Sequence, residues 1–228
     1  MSTVEHKFPL VVDHVYIWVA QGAPPMQALQ ALGLQPHQHI TFHEGQGSAS
    51  QSVLFKNMYL ELVWVVDAQE LADFTAATPN ASGPPEKWQE TGLSPFGIGL
   101  HYRTPAAPRL PIETEQFSAS WMPEGSFIET VQHTSLYCPS QFILHGPLAY
   151  WDVPEALATH PLGVQNLTAL AITMPAGAEL DPLFEQLVEH GVVTLRRGPI
   201  PLLELTFDQQ AQGQSFDGRP DLPLIIRY

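Results

Sequence analysis

A single cysteine, Cys138, stands among the 228 residues of the chain. No disulfide within the chain and no cysteine-based zinc site can be built from it, and it is read as structural. Basic residues are also scarce: nine Lys plus Arg face 23 Asp plus Glu, a formal charge of -14. The longest basic run is Arg196-Arg197, and so acidic a chain repels nucleic acid and anionic membrane surfaces. No apolar run reaches the ~18 residues a membrane-spanning helix requires. The opening stretch, MSTVEHKFPLVV, lacks the basic and apolar regions of a secretion signal. These absences imply a soluble, cytoplasmic protein without nucleic-acid or membrane partners. What the chain does have is 44% hydrophobic residues, sufficient for a core without crosslinks, and ten histidines, more than Lys and Arg combined.

Alternation and turn residues divide the chain into three units of a single domain spanning 1–228. In the first, 8–66, a strand over 11–19 puts Val15, Ile17 and Val19 on one face and His14, Tyr16 and Trp18 on the other. Gly22-Ala23-Pro24-Pro25 opens a short helix carrying Met26, Leu29 and Leu32, closed by Gly33. A polar segment containing His43-Glu44-Gly45-Gln46-Gly47-Ser48 precedes strands over 51–56 and 59–66, and the last of these carries Tyr59, Glu61, Val63 and Val65 on one face. A helix over 68–76 and a Pro- and Gly-rich loop over 78–95 lead to the second unit, 96–146. It reads as strands over 96–104, 117–122, 126–134 and 140–145, with Pro105 and Pro108 where a helix would stand. After an irregular connector, the third unit, 166–228, repeats the β-α-β-β-β order. Its strands cover 167–174, 192–195, 202–207 and 222–228, and its helix starts at Asp181-Pro182 with Asp as N-cap. Superposing the third unit on the first puts Ala169 in the place of His14 and Leu224 roughly in that of Glu61, so the third unit lacks their chemistry.

His14 and Glu61 are the sharpest chemical signal, because each places an ionisable group among aromatic and β-branched residues where charge is costly to bury. An imidazole nitrogen and a carboxylate oxygen suit Zn, Fe, Ni, Mn or Co better than Ca. A hydrogen-bonded pair lining a metal-free pocket accounts for the pattern equally well. Tyr16, Trp18 and Tyr59 share the strand faces of the pair and would give a pocket an aromatic wall suited to a partly apolar organic molecule, or else are core aromatics. Gln46 and Ser48, beside His43 in the Gly-containing turn, are candidate substrate contacts, and Trp121, Tyr150 and Trp151 are weaker pocket candidates.

Asp13-His14, the turn from His43 to Ser48, Tyr59-Leu60-Glu61-Leu62 and His160-Pro161-Leu162-Gly163-Val164 together resemble the glyoxalase-like domain family of the vicinal oxygen chelate superfamily. The resemblance implies an α+β fold in which repeated units curl mixed sheets into a cup-shaped half-barrel. It further implies a divalent metal held by His14 and Glu61, chelating neighbouring substrate oxygens in lyase, isomerase or dioxygenase chemistry, with His43 or Glu61 as base. Such a site wants further ligands; His101, Gln141 and His145 are the candidates in the second unit, and a second chain in a homodimer is another source. The alternative from the same resemblance is a non-enzymatic protein that binds or sequesters a small molecule in the same cup.

Overall fold

A computed structural model describes residues 8–78, 80–85, 87–149 and 152–228; Tyr150 and Trp151 lie outside the described residues. The first unit contributes β1 (Leu10–Trp18), α1 (Met26–Leu32), β2 (Thr41–His43), β3 (Ser48–Leu54) and β4 (Tyr59–Val65). β1 runs parallel to β4, with His14 opposite Tyr59 and Tyr16 opposite Glu61. α1 ends at Gly33, whose φ of 101° lets its N–H turn back to the Gln30 carbonyl, a conformation costly for a residue bearing a Cβ. Met26 and Leu29 of α1 join Val15 and Ile17 of β1 in the core. β3 begins three residues earlier than alternation suggested, because the small side chains from Ser48 to Ser50 extend its pairing with β4.

α2 (Ala68–Ala77) and α3 (Trp88–Thr91) connect to β5 (Phe96–Tyr102), β6 (Thr114–Phe117), β7 (Phe127–Val131) and β8 (Ser140–His145). The strand expected over 117–122 therefore ends where it was expected to begin, and Trp121 lies in a turn. The eight strands form one curled sheet in the order β2-β3-β4-β1-β5-β8-β7-β6. Its halves are alike: β1 and β5 pair antiparallel at the centre, and each has a parallel outer neighbour, β4 or β8.

The third unit, β9 (Leu167–Met174), α4 (Pro182–Glu189), β10 (Thr194–Arg197), β11 (Leu202–Phe207), β12 (Ser215–Asp217) and β13 (Leu224–Arg227), makes a separate sheet ordered β10-β9-β11-β13-β12. β12 is a strand that periodicity did not show. The order also departs from that of the first unit, since the strand parallel to β9 is the one directly after its helix. Only four residues, His190 to Val193, separate α4 from β10, and so short a return lands beside the strand just left. By pairing, Thr194 rather than Leu224 occupies the place of Glu61 when Ala169 takes that of His14.

Asp181 precedes α4 as expected, but its carboxylate does not cap the helix. Fully buried, it accepts hydrogen bonds from His133 Nδ1 at 2.7 Å and from the backbone N–H groups of Thr134 and Ser135, tying the loop before β8 to the second sheet. One apolar core joins the inner faces of both sheets with α1 and α4, and Phe55 packs on Phe207 with ring centroids 4.3 Å apart. No described helix is long and apolar enough to cross a membrane.

Candidate functional site

A β-bulge interrupts the pairing of β1 with β5 between Val12 and His14. Strict alternation would turn Asp13 toward the core, away from His14; the bulge brings it round to the side on which His14 lies. Its carboxylate then sits between two imidazoles, accepting from His14 Nδ1–H at 2.7 Å and from His101 Nδ1–H at 3.0 Å. With Nδ1–H committed to Asp13, Nε2 of neutral His14 is a bare acceptor.

Across the β1/β4 pair, Glu61 is held by its other oxygen. Ser50 Oγ donates to Glu61 Oε1 at 2.6 Å. The bonds around His43 run in one direction, Ser48 Oγ–H donating to Nδ1 at 2.9 Å and Nε2–H donating to Ser50 Oγ at 3.4 Å. His43 therefore supports Glu61 through Ser50. The remaining atoms, His14 Nε2 and Glu61 Oε2, face one another 3.9 Å apart. Both are acceptors, and among the described residues no donor reaches either of them.

These groups lie on the concave face of the eight-stranded sheet, in a cavity of about 1270 Å³. Two glycines make room for its floor: a Cβ on Gly97 would overlap the Tyr16 ring, and one on Gly99 would overlap the His14 imidazole. Tyr59 stacks on His14 with centroids 4.3 Å apart, and Phe142 of β8 is tilted against His14 and stacked on Tyr16. Trp121 packs on His43 at 5.1 Å, and Trp18, Gln46 and Ser48 complete this part of the wall. Gln46 sits in a turn anchored from α2, where Glu70 accepts from the N–H groups of Gly45 and Gly47.

Burial opposes the charge on Asp13, yet the hydrogen bonds from His101 and His14 outweigh it and hold the carboxyl below its ordinary range. His43 is shifted down by burial, against the pull of the Glu61 carboxylate, so its neutral form is favoured. Burial, followed by the nearby charges of Glu61 and Asp13, raises the Tyr59 hydroxyl well above its usual value. Burial likewise raises Tyr16. Both phenols stay neutral and serve as ring faces and hydrogen-bonding groups.

No family model and no curated protein matches the sequence. Among solved structures, a hypothetical protein from Staphylococcus aureus is similar over 95% of this chain and 98% of its own, with a TM-score of 0.54 at 11% identity. A second, a hypothetical protein from Bacillus halodurans, covers 59% of this chain and 93% of its own with a TM-score of 0.39 at 12% identity. The first shares the fold.

Of the additional metal ligands expected from the second unit, His101 turns Nδ1 to Asp13. Gln141 and His145 alternate with Phe142 along β8; Gln141 still borders the cavity, but neither side chain turns to His14 and Glu61. The Gln141 amide turns to the Pro139 carbonyl, while His145 Nε2 lies 2.9 Å from Glu129 and its Nδ1 3.3 Å from Arg109. Among the described residues no group of three His, Cys, Asp or Glu side chains is arranged to hold a metal. His14 and Glu61 thus supply two donors where a protein-bound catalytic zinc ordinarily has three. Sequence reasoning passed over Asp13 as an acting group, along with Ser50 and Phe142. The Gly-x-Gly of β5 was the available signal, since glycines inside a strand mark close approach by another group.

Proposed function

We propose that the cup binds a small, partly apolar, oxygenated organic molecule and transfers a proton on it, as a glyoxalase-like enzyme of lyase or isomerase type. The observation that carries this reading is the pair of facing acceptors, His14 Nε2 and Glu61 Oε2, at the aromatic floor of the cavity. His14 takes the proton at Nε2, and Asp13 behind it holds the tautomer and stabilises the imidazolium that forms. Glu61, steadied by Ser50, is the second proton-transfer group. Tyr16, Tyr59 and Phe142 hold the apolar part of the molecule and exclude water. The resemblance in the motifs around His14 and Glu61 supports the same reaction class.

A divalent metal is a second reading, favoured by the way Asp13 orients His14 and Ser50 orients Glu61, as outer partners commonly orient metal ligands. It requires a third donor beyond the two on this face, from substrate, water or a second copy of the chain, and no step above is routed through it.

The test is deuterium exchange at the carbon beside the carbonyl in a panel of α-hydroxy ketones and hydroxy aldehydes, followed by NMR in heavy water. Wild-type protein accelerates exchange of at least one compound, and His14→Ala and Glu61→Gln each lower the rate by about a hundredfold to ten-thousandfold. Binding without exchange by the wild type would instead mark a sequestering protein. Loss of exchange on chelation, restored by Zn, Fe, Ni, Mn or Co, would establish the metal reading.

A further inference from the structure

The gap between His14 and Glu61 also specifies what can fill it. We infer that the cup also binds molecules carrying a protonated amine, held between His14 Nε2 and Glu61 Oε2 in competition with the substrate on which these groups transfer a proton; this rests on the reading of the cup as a ligand site. With the acceptors 3.9 Å apart, one donor atom about 2.8 Å from each completes two hydrogen bonds at once. A ligand hydroxyl has a single proton and leaves one acceptor unpaired. An ammonium group has enough N–H bonds for both acceptors, with the remaining one free for solvent or another ligand atom.

Charge points the same way. Among the described residues, Asp13 and Glu61 are the carboxylates lining the cavity, and both belong to the floor. The described basic residues on its wall, Lys56 and Arg103, are exposed and already donate to Gln165 Oε1 and to the Phe8 carbonyl, each at 2.8 Å. An anionic group lowered onto the floor meets a carboxylate without a basic side chain to offset it. A cation meets Glu61 and the faces of Tyr16, Tyr59 and Phe142, which attract positive charge. The formal charge of -14 raises the local concentration of cations around the chain as a whole.

Benzylamine, benzyl alcohol and benzoate are probes of matched size that differ in charge, and quenching of tryptophan fluorescence reads their affinities. Benzylamine binds about tenfold more tightly than benzyl alcohol at neutral pH, and benzoate binds more weakly than either. Glu61→Gln removes the preference for the amine, bringing benzylamine affinity down to that of benzyl alcohol for the same variant. Tyr59→Leu, which keeps the carboxylate, weakens benzylamine more than benzyl alcohol. Equal binding of benzylamine and benzyl alcohol, tighter binding of benzoate, or an amine preference that survives Glu61→Gln overturns the inference and leaves the cup standing as a ligand site. Absence of binding by all three probes overturns the inference together with the reading of the cup beneath it.

Discussion

Two glutamates, one on each sheet, are buried to similar depth and have opposite fates. Glu204 on β11 has a side chain 6% exposed and both oxygens occupied, by Arg196 Nε at 2.8 Å and Arg227 Nη2 at 2.7 Å. Glu61 on β4 has a side chain 13% exposed, one oxygen taken by Ser50, and the other turned toward His14 across open cavity. The first carboxylate is neutralised and fully engaged, which makes it part of the scaffold of the second sheet. The second retains an atom free to bind or to react. Burial alone does not distinguish a structural carboxylate from a chemical one; the count of satisfied atoms does.

The strongest way to break the contrast is to fill the space that lets His14 face Glu61. Gly99→Val places a side chain where the imidazole lies, and is expected to cost about 1 to 3 kcal/mol in a urea melt as the ring is forced aside. Benzylamine binding is lost with it. A variant that binds the probe as wild type does would show that His14 is not where the acceptor pair needs it. Next in size, Glu204→Gln should destabilise by about 1 to 2 kcal/mol, less than a fully buried pair because Arg196 and Arg227 both reach solvent. Glu61→Gln should change stability by under about 0.5 kcal/mol, or raise it. Equal losses at the two sites, read as urea midpoints, would erase the distinction.

The smallest effects are those of pH, and they have two windows. Burial lowers the pKa of His160 from its ordinary value of 6.5, against the pull of the Leu54 carbonyl that accepts from its Nε2–H, and its Nδ1 can accept from the Gln35 N–H only while the ring is neutral. Its contribution is complete above 6.5 and declines as pH falls below that value toward the lower folded-state pKa. Asp13 and Asp181 are both shifted below their ordinary 3.8 by hydrogen bonds that outweigh burial. Their contribution is complete above 3.8 and is lost as pH falls further, through the folded-state values. Urea midpoints across pH should fall in these two steps; burial lowers His43 as well, so His160→Asn should shrink the upper step while leaving the lower in place.

Much of the scaffold is legible in the sequence alone. Periodicity and turn residues located β1, α1, β4, β5, β8, β9 and α4, because hydrophobic alternation and glycine or proline breaks are local properties of the chain. The same alternation put His14, Tyr16, Trp18, Tyr59 and Glu61 on faces that prove to line one cavity. β12 and the limits of β6 were missed, being strands of three and four residues, too short for a pattern to repeat.

What the sequence by itself determined is an acidic α+β chain whose first unit carries an imidazole and a carboxylate on paired strands. Only the tertiary structure decided how those groups are used. The bulge that brings Asp13 behind His14, the glycines of β5 that admit its ring, and the bond from Ser50 that leaves one oxygen of Glu61 free all come from residues far apart in sequence. So does the order of the second sheet, where a four-residue return set β10 beside β9 and removed the correspondence between Leu224 and Glu61. Register and bulges arise from pairing between distant strands, and a pattern read along one strand carries no information about its neighbour.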